Sequence, residues 1–226
     1  MKNNIKILIV STVALACTFD APGANVNIGL VNGDFESPSI GTGATFNSTT
    51  APTGFGWTIA SGEIDLLGAS YWQPASGTQS LDLSGYFLPG SIYQDFVFPS
   101  AGTWVIKFAL SANPDFTWQG DGQGAGVKNL RVDFGIPGQM SSLGTFGVDA
   151  DSRSIWDMNW VIITTPELLI PDATTYRLQF TSLVPGAAGP ALDRVELQIV
   201  PEPSVAGLLL VLAVGGAFHQ RRLKRA

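Results

Sequence analysis

The chain has 226 residues, of which 45% are hydrophobic and 13% charged, with a formal net charge of −6. Its cationic residues crowd the two ends, so that from Asn25 to Val200 16 acidic residues stand against 6 basic ones, a net charge of −10. Such an acidic stretch argues against nucleic acid or anionic lipid as a partner and suits soluble display or cation binding.

Residues 1–24 read as a secretory signal peptide. Lys2 and Lys6 supply the positive start, 7–17 the apolar run, and Ala14-Leu15-Ala16 a cleavage site after residue 16. A later cut after Ala24 would place Pro22 three residues before it. Cys17 raises a lipoprotein reading, but Ala14 stands where the lipobox wants leucine. Cys17 is the only cysteine and His219 the only histidine, and both fall in the terminal segments. The stretch between them therefore holds no disulfide, Ser-His-Asp triad, Cys-His pair or histidine-ligated zinc.

Residues 25–199 form one domain, long enough to bury a core. Period-two alternation is plain at Trp104, Ile106, Phe108 and Leu110, at Leu130, Val132 and Phe134, at Tyr176, Leu178 and Phe180, and at Val195, Leu197 and Ile199. One apolar face on such a run means a half-buried strand. Weaker strands are expected over 28–35, 56–59, 63–67, 79–83, 92–98 and 158–164. The Gly-, Thr- and Ser-rich 41–54 reads as a surface loop and the glycine-rich 120–126 as a hairpin loop. Roughly ten strands separated by turn residues, with no long helical period, predict an all-β, antiparallel two-sheet sandwich.

Residues 200–226 are a separate segment. Pro201-Glu202-Pro203 is stiff and extended, 205–218 is apolar without a polar stripe, and Arg221, Arg222, Lys224 and Arg225 close the chain. Fourteen residues of helix span about 21 Å, a short membrane span that flanking arginines can extend by snorkelling. This order of parts resembles the PEP-CTERM sorting signal. The resemblance implies recognition and cleavage near Pro201-Glu202-Pro203 by an exosortase. It also implies a membrane-held intermediate in the inner membrane of a Gram-negative bacterium, then delivery to the cell surface or extracellular matrix.

The domain itself resembles the choice-of-anchor C family of exported proteins. The matching segments are Val31-Asn32-Gly33-Asp34-Phe35-Glu36, Glu63-Ile64-Asp65-Leu66-Leu67-Gly68, Tyr71-Trp72-Gln73, Gln79-Ser80-Leu81-Asp82-Leu83, Gly85, Ala112-Asn113-Pro114-Asp115, Lys128-Asn129-Leu130-Arg131-Val132, Trp156 to Trp160, and Thr181 to Val195, which ends Gly189-Pro190-Ala191-Leu192-Asp193-Arg194-Val195. The resemblance implies a galactose-binding-like jelly roll, a fold shared with many carbohydrate-binding modules. It further implies a structural Ca2+ where the first strand meets the last, with Glu36 and Asp193 as metal ligands. Calcium takes oxygen ligands of this kind. The same two carboxylates could equally bond local backbone donors, and both readings stand.

For the rest, six tryptophans suit a sugar binder, because apolar sugar faces stack on indole. Trp104 lies in phase with core residues, and Trp160 is read with it. Trp72 and Trp118 sit beside Pro and Gly breaks, in loops where binding residues concentrate, with Asp65, Tyr71 and Gln73 as companions to Trp72; packing remains the alternative for each. The reading is a non-enzymatic surface or matrix protein binding exopolysaccharide or another matrix glycan. One alternative is a purely structural matrix protein. The other is a glycosidase-like enzyme using two carboxylates drawn from Glu63, Asp65, Asp82, Asp115, Asp157 and Glu167.

Overall fold

A computed structural model describes residues 29–115 and 125–201. The signal peptide, Trp118, most of the glycine-rich hairpin loop, and the sorting tail from Glu202 onward, with Pro203, Arg221 and Arg222, lie outside the described residues. The described residues form strands β1 (Gly43–Asn47), β2 (Thr58–Ser61), β3 (Glu63–Gly68), β4 (Gln79–Asp82), β5 (Ser91–Val97) and β6 (Gly102–Ala112). They continue with β7 (Val127–Ile136), β8 (Gln139–Asp149), β9 (Val161–Thr164), β10 (Leu168–Ile170), β11 (Thr175–Ser182) and β12 (Pro190–Ile199). The one helical turn among them is a 3-10 turn at Ala150–Ser152, so no helix there is long and apolar enough to cross a membrane.

All pairings are antiparallel and form two sheets. The first runs β1-β3-β4-β12-β6-β10, with β9 also paired to β6; the second runs β2-β5-β11-β7-β8. The fold is therefore an all-β two-sheet sandwich, as expected. The alternating residues face inward: Trp104, Ile106 and Phe108 from β6 and Val195 and Leu197 from β12 meet Leu130, Val132 and Phe134 from β7 and Leu178 and Phe180 from β11. Phe108 stands edge-on to Phe180 across the sheets, with ring centroids 5.3 Å apart. Burial of this face is the main stabilising term.

Four segments differ from the expected strands, one of them the short unexpected β10, which pairs with the start of β6. Of the stretch 28–35, the described residues 29–35 form no strand, because Gly29, Asn32 and Phe35 have φ of 114°, 52° and 55° and break the extension. Its ladder is replaced by side chains. Gln94 accepts from the Val31 amide at 2.7 Å and donates to the carbonyls of Val31 and Gly56, both at 2.8 Å. Conversely, β1 lies inside the expected loop 41–54, its register against β3 fixed by Ala44↔Leu66 and Phe46↔Ile64. β8, rich in Ser, Gly and Thr, is the edge of the second sheet and has mostly exposed side chains.

β6 runs the full height of the sandwich. At its start, the Val200 amide donates to the Thr103 carbonyl at 2.8 Å; a Cβ at Gly29 would lie 3.1 Å from the Val97 carbonyl oxygen and 3.7 Å from Leu197 Cδ1. At its other end, Asn113 follows Ala112, and its amide donates to the Gly189 carbonyl at 2.9 Å.

Candidate functional site

The outward face of the first sheet carries the site. Cross-strand register places Thr45, Asp65, Asp82, Ala191 and Ser111 in one row across β1, β3, β4, β12 and β6. Side chains alternate along a strand, so the row is opposite Ile64, Leu66, Leu81 and Leu192, which fill the main core. Over the Ala191 end folds a second, small core made by Leu67, Trp72, Met158 and Ala191, with Tyr71, Ile155 and Trp160 packed on it. Over the Thr45–Asp65 end the face stays open, as a cavity of about 300 Å³.

Thr42–Thr45, Asp65, Leu67, Tyr71, Tyr86, Asn113, Asp115, Ala187 and Ala188 line the cavity. The Tyr71 hydroxyl donates to Asp115 Oδ2. Asn113 Nδ2 donates to Asp82 Oδ2 at 2.7 Å, while its own Oδ1 accepts the Asp115 amide at 2.7 Å. Asp82 lies beneath, fully buried, its Oδ1 accepting the Ser84 amide at 2.8 Å. Gly189 lets this cluster close, since a Cβ there would fall 2.6 Å from Asp82 Oδ1.

Burial dominates the electrostatics. It raises Asp65 to about 6, helped by the nearby Glu63 charge and opposed by a hydrogen bond from Thr45. It raises Asp82 well above the usual carboxylate range, with the facing Asp65 charge adding to the effect. Tyr71 is likewise held protonated by burial and by its bond to Asp115. Among the described residues, Asp65 Oδ1 is buried without a hydrogen-bond partner, and no lysine or arginine lines the cavity. The site therefore places two phenol rings beside a buried Asp65 acceptor.

Of the residues expected at the site, the structure brings together Asp65 and Tyr71. Trp72 is a correction: its indole is 0% exposed, packed in the small core, with Nε1 donating to Ser80 Oγ at 2.8 Å. The Pro and Gly around it do mark a loop, but the loop folds inward over the sheet. Gln73 is absent from the cavity lining and ties two segments together instead: its Oε1 accepts the Met158 amide at 3.2 Å and its carbonyl accepts Trp160 Nε1 at 2.9 Å. Tyr86, Asn113 and Asp115 complete the site, and only long-range pairing could have gathered them.

Glu36 and Asp193 form a different cluster. Glu36 Oε1 accepts the amides of Thr78 and Gln79 at 2.7 and 3.0 Å, and its Oε2 accepts the Thr78 hydroxyl at 2.5 Å. Asp193 Oδ2 accepts the amides of Ala75 and Ser76, both at 2.9 Å, and Oδ1 that of Arg194 at 2.7 Å. The two carboxylates thus grip the segment 75–79 from both sides. Burial raises Asp193 to about 7, with the Glu36 charge a lesser contribution against the amide bonds. No group of three or more His, Cys, Asp or Glu residues placed to hold a metal occurs among the described residues.

No family model matches the chain. In sequence it is 30% identical over 204 residues to Halomucin of Haloquadratum walsbyi, a match covering 87% of this chain but only 2% of Halomucin. Among solved structures, the Stig cyclase Fisc from Fischerella sp. TAU aligns with a TM-score of 0.51 at 13% identity, over 78% of this chain and 99% of that one. The CBM22-1 xylan-binding domain of Paenibacillus barcinonensis Xyn10C aligns with a TM-score of 0.44 at 15% identity, over 71% and 95%. TmCBM61, solved with β-1,4-galactotriose, gives 0.43 at 12%, over 75% and 96%. What this chain shares with the cyclase is its fold, the antiparallel β-sandwich.

Proposed function

We propose that the chain is an exported, surface- or matrix-displayed jelly roll of the galactose-binding type that binds a neutral matrix glycan in the cavity above Asp65. The observation that carries this reading is the pairing, in one cavity of about 300 Å³, of the Tyr71 and Tyr86 rings with Asp65, Asn113 and Asp115. Sugars have apolar faces for rings and hydroxyls for carboxylate and amide acceptors. Ligand pockets combine such apolar walls with a few convergent polar groups. Uronates and sulfated sugars would bring like charge against the Asp65 carboxylate, and like charges in contact are costly.

The binding is non-catalytic in this reading. Of the carboxylates at the cavity, Asp82 is buried with both oxygens already accepting, and Asp115 accepts the Tyr71 hydroxyl. In this reading Glu36 and Asp193 clamp the segment 75–79, each carboxylate oxygen accepting from a backbone or hydroxyl donor. Export rests on the signal peptide of 1–24, and sorting on the exosortase signal at Pro201-Glu202-Pro203, the apolar 205–218 and the arginines after it.

A glycan array spanning neutral, amine-bearing and uronate polysaccharides tests the binding. Retention on neutral glycans, lost in Asp65→Ala and Tyr71→Phe variants that melt like wild type, is the expected result. Absence of any bound glycan favours the structural-matrix alternative, and release of reducing sugar from a bound glycan would make the protein an enzyme. Replacing Pro201-Glu202-Pro203 with alanines in the producing cell should leave uncleaved precursor in the inner membrane; normal delivery of that variant would remove the exosortase.

A further inference from the structure

We infer that the turn at 85–88 is a second contact for the glycan, so that the site takes a chain of linked sugars rather than one. The inference rests on the reading of the cavity as a glycan site. Tyr86 lines that cavity. Its ring also stands at 85° to the ring of Phe87, with centroids 4.2 Å apart. Phe87 and the next residue, Leu88, are 63% and 52% exposed. The two rings form an aromatic corner with Tyr86 on the cavity side and Phe87 beyond it.

A flexible turn would fold two such side chains away from water, but this one is seated on Glu63. The Gly85 amide donates to the carbonyls of Glu63 and Leu88 at 2.9 and 3.1 Å, and the Phe87 amide donates to Glu63 Oε2 at 3.0 Å. Gly90 donates to the Leu83 carbonyl at 2.7 Å, and Ser84 bridges to Pro89 across the base of the turn. The seat admits no side chain on the glycines: a Cβ at Gly85 would lie 2.3 Å from Glu63 Cβ, and one at Gly90 2.3 Å from the Glu63 carbonyl oxygen.

The apolar corner is thus held in place before any ligand arrives. Pre-organised aromatic side chains lose little conformational freedom on binding, which is how rigid rings come to dominate recognition energies. A sugar inside the cavity leaves its linked neighbour at this corner, where a pyranose face can cover the exposed Phe87 ring. The ligand class is a neutral oligosaccharide of two or more units, and Glu63 is the positioning residue for its outer contact.

The test uses the full chain in a sugar-free zwitterionic detergent, titrated with β-1,4-linked gluco-, galacto- and xylo-oligosaccharide ladders of one to six units. Wild type should bind longer members more tightly than the monosaccharide. Phe87→Ala should lose about tenfold in affinity for the longer members, equivalent to about 1.4 kcal/mol, and leave the monosaccharide constant unchanged. Phe87→Trp, which keeps a ring face, should retain the length dependence and serves as the control should the alanine variant fold poorly. Equal loss at every length, or no loss at any, would overturn the outer contact while leaving the cavity as a glycan site. A wild-type chain that binds no ladder member would overturn the inference together with the glycan reading on which it rests.

Discussion

Replacing Trp72 decides between packing and ligand contact at the position where sequence pointed to a ligand. The indole is wholly enclosed by Leu67, Met158 and Ala191 and their neighbours, and its Nε1 proton is used by Ser80 Oγ. Trp72→Ala removes a fully buried aromatic side chain, a change that costs about 3–5 kcal/mol in cores. For a domain of this size that corresponds to a fall in Tm of roughly 10 °C. Trp72→Phe keeps most of the ring and strands the buried Ser80 hydroxyl, so its cost should be smaller, about 1–3 kcal/mol. Urea titration of wild type and both variants, followed by tryptophan fluorescence and circular dichroism, supplies the free energies. Glycan affinity is measured well below each midpoint. The ordering expected is wild type, then Phe, then Ala, with affinity nearly constant while the proteins are folded. A Trp72→Ala variant that melts like wild type and fails to bind would refute the burial argument and return Trp72 to the ligand.

Burial makes Asp65 and Asp193 hold protons in the folded state that the unfolded chain releases near pH 3.8. Their contribution to stability is therefore greatest below that pH and declines as pH rises to about 6 for Asp65 and about 7 for Asp193. Asp65→Asn should flatten the decline between pH 4 and 6, a change of about 2–3 kcal/mol at most, read from urea midpoints across that range; an unchanged slope would refute it. Gly77 has φ of 63° and a Cβ there would meet Glu36 Oε1 at 2.2 Å, so Gly77→Ala should loosen 75–79 and cost about 1–3 kcal/mol, seen as faster amide exchange in that segment. Chelator followed by excess calcium should leave Tm where it was, because Glu36 and Asp193 are taken by amide donors; a calcium-dependent rise would make them metal ligands.

Strands whose apolar residues alternate cleanly were legible from sequence, since half-burial leaves a period-two mark. Tyr176, Leu178 and Phe180 in β11 are the plainest case. Edge strands leave little mark: β1 and β8 bury so few side chains that Gly, Ser and Thr read as loop. Segment 28–35 failed for the opposite reason. Its apolar residues are real core contacts, Leu30 and Phe35 among them, but the chain reaches them through positive-φ turns pinned by Gln94. At the site, Asp65 and Tyr71 were found because they lie in one short stretch beside a turn. Asn113, Asp115 and Tyr86 come from other parts of the chain, and their convergence exists only through the pairing of β12 with both β4 and β6. The exposed Phe87 could be flagged from Gly85 and Pro89 around it, yet its exposure depends on Glu63, whose role no local pattern encodes.

The path of β6 has a mechanical consequence. Val200 lies beside its first residues and Gly29 beside Val97 and Leu197, whereas Asn113 and Asp115, at the cavity, follow its last. Ten steps along a strand separate the two ends, roughly 30 Å. Both covalent leads therefore leave from the pole opposite the cavity. Tethering through the leading segment, the trailing one, or both would keep the cavity residues at the end away from the attachment point, and cutting either tether would leave that separation unchanged. A domain wired in this way can exchange anchors without being rebuilt.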